Sequence, residues 1–223
     1  MRKLLVPLLF SSLVLFSCSS NSNHNSNKTI YHLEKKGERI EMTQEENVFR
    51  VLEFPKTRQA ANWTCGANAV QKVCAYYGDD YREMDLVKLL HSSPEYGTAL
   101  QMIMDFFKKH HYKAELKEYM TIEDLKKYTD RGIPVILMIQ AWAHHEADLK
   151  GWDNGHFTVC IGYTTDDLIF ADPSLYGLGF IPKNKLMERW HDTDVDDKKY
   201  YQTGIAVYGK KPKFDLQKIE EIY

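Results

Sequence analysis

Two residues of this 223-residue chain have the side chains and the neighbours that nucleophilic chemistry needs, Cys65 and His156. A thiolate attacks a carbonyl carbon when an imidazole beside it takes up the thiol proton, and a third group orients the imidazole. Asp172 and Gln59 are the candidates for supporting roles. Gln59 and Cys65 lie far along the chain from His156 and Asp172, so the chemistry depends on a fold that brings the two pairs together.

Cys65 stands at the start of a predicted helix. From Cys65 onward the apolar residues recur at helical spacing, Gly78 is a suitable stop, and Thr64 or Asn62 occupies the N-cap position. Free amides and the helix dipole at such an N-terminus favour a thiolate. Gln59, on the approach loop, is placed to point its amide back towards the thiol. With the Cys65 N–H, that amide would form an oxyanion hole.

The cysteines also admit a structural interpretation, in which Cys65 is a disulfide partner in an oxidising compartment. Nine residues of helix separate Cys65 from Cys74 by about 13 Å along the axis. That separation is beyond disulfide reach, so these two do not pair. Cys74 shares the apolar face and is most simply a core thiol. A bridge between Cys74 and Cys160 stays open, because Cys160 lies in a predicted strand.

His156 opens a predicted β-hairpin. The run 157–163 is typical of a buried strand, 164–167 of a turn and 168–172 of the returning strand. The start of the first strand then lies near the end of the second, so Asp172 approaches His156. Because sixteen positions separate them, they share a sheet face only if the hairpin loop holds an odd number of residues, such as three. A buried acid needs a partner, and His156 is a natural one, although a strand-opening histidine also fits a structural role.

The elements that position these residues divide into early helices and late strands. Thr98 is expected to cap a helix that runs to about His110, and Thr121-Ile-Glu-Asp124 resembles a capping box with Asp in place of Glu. The continuous apolar run 135–139 is typical of a central strand. This order predicts an α+β fold, with N-terminal helices packed on a C-terminal antiparallel sheet.

The loop 141–155 delivers the chain to His156 and is rich in imidazoles and carboxylates. Such a cluster raises the question of a metal site. The adjacent His144 and His145 would diverge in an extended chain, however, and no cysteine joins them, so we predict neither a metal nor a cofactor. Trp142 and Trp152 are instead expected to contact substrate at the rim of the site.

The N-terminus has the pattern of a bacterial lipoprotein signal. In residues 1–17, two cations precede an apolar run that is shorter than the roughly 20 residues of a membrane-spanning helix. Leu15-Phe16-Ser17-Cys18 resembles the lipobox, in which the cysteine is lipidated and becomes the new N-terminus. An anchor that is not cleaved is the alternative.

The residues after Cys18 support this interpretation. Residues 19–27 are only Ser, Asn and His, a polar tract typical of a flexible tether. We therefore divide the chain into the signal peptide, the lipidated cysteine and tether (18–30) and one domain (31–223). The predicted location is the bacterial cell envelope, outside the cytosol and anchored to the bilayer through Cys18. Ser19 in place of aspartate favours the outer membrane if the cell is Gram-negative.

The composition is that of an ordinary globular domain. It is 43% hydrophobic with a net charge of -2, which excludes disorder as the overall state. The 29 basic and 31 acidic residues create no general field for phosphate, so we expect no nucleic-acid partner. The oligomeric state has no indicator in the sequence.

Several of these motifs, in this order and spacing, resemble the bacteriocin-processing (double-glycine-leader) cysteine peptidases and their wider papain-like relatives. The resemblance covers about residues 50 to 208. The motifs are Gln59, Cys65-Gly-Ala, Tyr76-Tyr77-Gly78, Gly155-His156-Phe157, Gly162-Tyr163 and Asp172-Pro173. The resemblance implies a papain-like fold and a peptide or protein substrate.

The same resemblance implies roles for four residues. Cys65 would be the nucleophile, His156 the base, Asp172 the group that orients it and Gln59 the oxyanion donor. The chain departs from the family in its Cys65-Gly-Ala-Asn, where Cys-Gly-Pro-Ala is commoner. Leader-cleaving members also usually sit on exporters, whereas no transporter domain is expected here. A lipid-tethered domain outside the cytosol is therefore expected to have another substrate.

The function predicted from the sequence is a lipid-anchored thiol hydrolase that cleaves peptide or isopeptide bonds through a Cys-His-Asp triad. Two other enzyme activities fit the same triad, a cell-wall peptide amidase and an acyl transferase. A third alternative is a lipoprotein that binds a peptide without cutting it.

Overall fold

The computed structural model describes residues 31–35, 38–42, 50–142 and 146–210. The predicted signal peptide, Cys18 and the tether lie outside the described residues, as do His144 and His145. No helix within the described ranges is long and apolar enough to cross a membrane.

The described residues form five α-helices and eleven β-strands. The helices are α1 (Cys65–Tyr76), α2 (Glu83–Leu89), α3 (Leu100–Lys109), α4 (Ile122–Asp130) and α5 (Lys183–Arg189). The strands are β1 (Tyr31–Lys35), β2 (Glu38–Met42), β3 (Arg50–Val51), β4 (Lys113–Lys117), β5 (Val135–Gln140), β6 (Gly155–Tyr163), β7 (Asp167–Ala171), β8 (Gly179–Pro182), β9 (His191–Thr193), β10 (Lys199–Tyr201) and β11 (Gly204–Tyr208). The predicted α+β class is confirmed.

One antiparallel sheet organises the domain. Its strand order is β4-β11-β5-β6-β7-β8, and the short β3 also pairs with β6. Every residue of β5 is buried, which confirms the central strand predicted from its apolar run. β1 with β2 and β9 with β10 form separate antiparallel pairs. The strand that begins next to His156 is therefore held between two neighbours.

The sheet separates two hydrophobic cores. Val159 and Ile161 pack with α1, α2 and α3, whereas Cys160 packs with α4 and α5 on the other face. Cys74 of α1 belongs to the first core and Cys160 to the second, and both are free thiols. The Cys74–Cys160 bridge that the sequence left open does not form, because the sheet lies between the two side chains.

Two helix starts differ in how well the sequence predicted them. The capping box at α4 is confirmed, since Thr121 accepts the Asp124 N–H and the Asp124 carboxylate accepts the Thr121 N–H. The cap expected from Thr98 is wrong, because α3 begins at Leu100 and the Thr98 hydroxyl is hydrogen-bonded to Ser92 at 2.6 Å. The Leu100 N–H, at the start of α3, donates instead to Asp194 Oδ1 at 3.3 Å.

The predicted hairpin is formed by β6 and β7, but its turn is not odd in length. The last paired residues are Tyr163 and Leu168, so four residues lie between them. Continued without interruption, this register would place His156 and Asp172 on opposite faces of the sheet.

A β-bulge at Ile161 corrects the register. Beyond it, Cys160 pairs with Phe170 and Val159 with Ala171, one residue out of step with the pairs near the turn. The odd loop expected from the sequence is thus wrong. The bulge supplies the one-residue shift that returns His156 and Asp172 to a common face.

Gly162 allows β3 to pass close to the bulge. Val51 pairs with Gly162, and the Leu52 N–H donates to the Ile161 carbonyl at 2.8 Å. A Cβ atom at position 162 would overlap the carbonyl oxygen of Arg50. Only glycine fits at this close approach of two backbones.

Candidate active site

Cys65 is the first residue of α1, as the sequence predicted. Thr64 holds the N-cap position, but its hydroxyl bonds the preceding turn, donating to the Ala61 carbonyl at 2.9 Å and accepting the Ala61 N–H at 3.2 Å. The first amides of α1 therefore lack a side-chain cap. Cys65 is 8% exposed, so its thiol is held at the helix end with little contact with solvent.

The α1 N-terminus packs tightly against its neighbours. A Cβ atom on Gly66 would lie 2.6 Å from the Thr98 Cβ and 3.2 Å from the ring of Phe157. Phe157 follows His156 directly in β6. The glycine after Cys65 therefore brings the helix end close to the strand that carries the histidine.

His156 and Asp172 are joined by a buried hydrogen bond, as the hairpin argument expected. His156 Nε2 lies 2.9 Å from Asp172 Oδ2, and both side chains are shielded from solvent. The other carboxylate oxygen, Oδ1, accepts the Ser174 N–H at 2.9 Å and the Ser174 hydroxyl at 2.5 Å. The carboxylate is thus fixed from both sides, and His156 Nδ1 is the ring nitrogen left for Cys65.

The charges of this pair are set by competing effects. Burial acts most strongly and disfavours the imidazolium, but hydrogen bonding to Asp172 and Cys65, together with their charges, raises the pKa of His156 to about 9. Burial also disfavours the Asp172 carboxylate, yet the hydrogen bond to His156 and its charge hold the pKa of Asp172 well below its usual range. At neutral pH the pair is an imidazolium and a carboxylate.

Gln59 lies on the loop between β3 and α1, next to the end of β7. Its N–H donates to the Pro173 carbonyl at 2.8 Å, which places it beside Asp172. Its side-chain Nε2 donates to the Ala61 carbonyl at 2.7 Å, leaving the second Nε2 hydrogen without a hydrogen bond among the described contacts. The buried Oε1 accepts no hydrogen bond from the part of the chain that the structure describes.

The two tryptophans predicted at the rim lie in different places. Trp142 is 55% exposed and packs edge-on against His156, with the ring centroids 5.3 Å apart. Trp152 packs against His191 at 4.5 Å and Tyr201 at 5.4 Å. No described ring contact joins Trp152 to His156, so only Trp142 lies against the candidate site.

Asp192, on β9, is a residue near the site that sequence reasoning missed. Its carboxylate accepts hydrogen bonds from Gln140 Nε2 at 3.0 Å and from the Thr193 N–H at 2.8 Å. A Cβ atom on Gly155 would lie 2.5 Å from Asp192 Oδ2, so the glycine before His156 makes room for this carboxylate. Burial raises the pKa of Asp192 to about 7. A three-residue strand has too little periodicity to reveal such a residue.

Among the described residues, no group of three or more His, Cys, Asp or Glu side chains could hold a metal ion. The loop histidines, His144 and His145, lie outside that set. The arrangement that remains is a thiol at a helix N-terminus beside an imidazole and a carboxylate, which can carry out acyl transfer.

Residues 51–194 match the Peptidase_C39 like family, and this match spans more than half of the chain. The chain belongs to this family. It is a cysteine peptidase, and its α+β architecture is the papain-like fold of the C39 peptidases. No curated protein matches the chain.

Solved structures share the fold of this C39-like peptidase at low sequence identity. A C39-like peptidase from Bacillus anthracis aligns with a TM-score of 0.56 and 16% identity over 74% of this chain and 99% of that chain. The peptidase domain of Streptococcus ComA, a bifunctional ABC transporter, gives 0.52 and 18% over 71% and 99%. A double-glycine-motif protease from an AMS/PCAT transporter, solved with its leader peptide, gives 0.51 and 19% over 71% and 93%.

Proposed function

We propose that this cysteine peptidase cleaves peptide or isopeptide bonds through a triad of Cys65, His156 and Asp172. One observation carries the proposal, the buried 2.9 Å hydrogen bond between His156 and Asp172 beside a thiol at a helix N-terminus. A histidine with only a structural role would not need a thiol beside its second ring nitrogen, whereas His156 has the Cys65 thiol there. The substrates are peptides or proteins, and Trp142 contacts them at the rim.

The proposed mechanism begins with an ion pair of the Cys65 thiolate and the His156 imidazolium. The sulfur attacks the carbonyl carbon, and the Cys65 N–H and the Gln59 amide stabilise the oxyanion. His156 then protonates the leaving amine, the C–N bond breaks, and a thioester remains on Cys65. Water attacks the thioester, His156 takes its proton, and the acid product leaves as the thiolate returns.

We also propose that the enzyme works outside the cytosol of a bacterium, anchored to the bilayer through Cys18. The support comes from the lipobox-like Leu15-Phe16-Ser17-Cys18 and from the polar tract that follows. Mass spectrometry of the mature protein tests this anchor. A lipid-modified Cys18 as the N-terminal residue is expected, and an unmodified internal Cys18 would contradict it.

The triad is tested by labelling the full-length protein with iodoacetamide at pH 6 and mapping the adducts by mass spectrometry. Cys65 is expected to react first. Cys74 and Cys160 are fully buried, and burial raises the pKa of each thiol to about 12, so both stay unlabelled. Replacing His156 (His156→Ala) is expected to slow the reaction of Cys65.

Equal and slow labelling of Cys65, Cys74 and Cys160 would contradict the triad and favour a lipoprotein that binds peptides without cutting them. The same protein, incubated with peptides and a primary amine, separates the enzyme activities. Free acid products indicate hydrolysis, and amine adducts indicate acyl transfer. A Cys65→Ala variant is the control in both assays, because it leaves the helix intact and removes the sulfur.

A further inference from the structure

Three buried polar side chains lie beneath the loop that carries Gln59. Asn68 and Lys72 belong to α1, and Glu83 is the first residue of α2. All three are buried, and Lys72 is only 2% exposed. Charged groups are costly to bury unless they are paired and hydrogen-bonded, so the contacts of this cluster indicate its purpose.

The two charged members bond the loop backbone on either side of Gln59. Lys72 Nζ donates to the Thr57 carbonyl at 2.6 Å. Glu83 Oε1 accepts the Ala60 N–H at 2.8 Å. Hydrogen bonds from ionised side chains are stronger than neutral ones. With the bond from the Gln59 N–H to Pro173, the loop is held at three points within four residues.

Asn68 fixes the position of the acid. Its Nδ2 donates to Glu83 Oε2 at 2.9 Å, so both oxygens of that carboxylate are occupied. Asn68 is also one of the two positions, with Ala67, at which the chain departs from the commoner Cys-Gly-Pro-Ala motif. An alanine at position 68 would leave the inner oxygen of Glu83 without its described donor.

The cluster also extends to the triad through charge. Burial lowers the pKa of Lys72 to about 8, while the negative charges of Asp172 and Glu83 act in the opposite direction. Lys72 therefore carries a positive charge at neutral pH, and this charge interacts with the carboxylate that orients His156.

We propose that Asn68, Lys72 and Glu83, here named the loop clamp, are positioning residues that hold Gln59 where its amide meets the oxyanion. The clamp rests on the proposed function, in which Gln59 is the oxyanion donor. An oxyanion donor must be fixed to within about 0.5 Å of its productive position, and a surface loop without such anchors is not that rigid.

A double-mutant cycle tests the loop clamp in the full-length enzyme. Asn68→Ala and Glu83→Gln are each measured alone and together with Gln59→Ala, with kcat and KM determined on one peptide substrate. Each clamp variant alone is expected to lower kcat by about tenfold, less than the roughly 10²- to 10³-fold of losing the donor. KM is expected to change little, because the oxyanion exists only in the transition state.

In the Gln59→Ala background, the same clamp substitutions are expected to change kcat by less than about twofold. The matched control is Tyr77→Phe, which removes a buried hydrogen bond from the residue after α1 to the Val207 carbonyl at 2.7 Å. This variant is expected to lose stability but to keep kcat. Thermal unfolding of every variant separates lost stability from lost positioning.

Three results would overturn the loop clamp. The first is that the clamp substitutions lower kcat by the same factor in the wild-type and in the Gln59→Ala background. The second is an unchanged kcat in both folded clamp variants, and the third is an unchanged kcat in Gln59→Ala. Activity that survives in Cys65→Ala overturns the triad instead, so the two failures are distinguishable. If Asn68→Ala does not fold, the Glu83→Gln cycle decides the outcome.

Discussion

The charge of His156 depends on one carboxylate. Burial alone would keep the imidazole neutral, and the hydrogen bond to Asp172 is the largest of the effects that reverse this. Because the pKa of His156 is raised from 6.5 to about 9 and that of Asp172 is lowered from 3.8, the pair stabilises the fold fully between about pH 3.8 and pH 6.5. That contribution is lost as the pH rises through about 9. His156 therefore remains an imidazolium across the neutral range.

We expect Asp172→Asn to move the alkaline limb of the kcat/KM profile to lower pH. The amide keeps the shape of the carboxylate but loses its charge, so the pKa of His156 falls towards its ordinary range. At pH 8 the variant is expected to lose about 10²-fold in kcat/KM, because less imidazolium is available to protonate the leaving amine. The profile is measured from pH 5 to 10. If the maximum of kcat/KM falls but the alkaline limb stays at the same pH, Asp172 is not the group that raises the pKa of His156.

At the scale of elements, the hairpin of β6 and β7 sets the site. The even length of its four-residue turn would put His156 and Asp172 on opposite faces of the sheet. The bulge at Ile161 shifts the strand register by one residue and so returns both side chains to the same face. Gly162 makes the bulge compatible with β3, because the two backbones are too close for a Cβ atom.

Gly162→Ala is therefore expected to destabilise the protein by about 1–3 kcal/mol, since either β3 or β6 must move. The matched control is Gly177→Ala, where an added Cβ atom meets nothing within 4 Å and costs little. Urea unfolding of both variants measures the difference. Equal midpoints for the two variants would show that the bulge tolerates a side chain.

The sequence predicted what local patterns determine. The start of α1 at Cys65, the hairpin and the Thr121 capping box all depend on neighbouring residues. The bulge at Ile161 was not predicted, because β3 reaches it from over a hundred residues earlier in the chain. The Leu100 N–H likewise donates to Asp194, and Gly155 lies against the Asp192 carboxylate. Both acids come from distant parts of the chain, so no local sequence pattern reveals these contacts.

At the scale of the whole molecule, Asp192 makes stability depend on pH. Its pKa is raised from an ordinary 3.8 to about 7, so the fold favours the protonated acid. The resulting stabilisation is complete below about pH 4 and is lost as the pH rises through about 7. Above that range the folded protein holds a buried carboxylate with few partners.

Asp192→Asn is expected to flatten this dependence, because the amide cannot ionise. The melting temperature of the wild type is expected to fall between pH 5 and pH 8, and the fall is expected to be smaller in the variant. His156 also loses stabilisation in this range in both proteins, so the difference between the two slopes reports Asp192 together with its charge interaction with His156. Identical slopes for the two proteins would show that Asp192 stays ionised throughout.

The bulge also has a consequence for how related chains vary in length. Removing one residue from the turn at 164–167 would rotate Asp172 away from His156 while leaving a hairpin that can still form. Losing Ile161 at the same time would restore the alignment. Deletions and insertions in this hairpin are therefore tolerated in compensating pairs, and an alignment of relatives should carry its gaps at the bulge and the turn together.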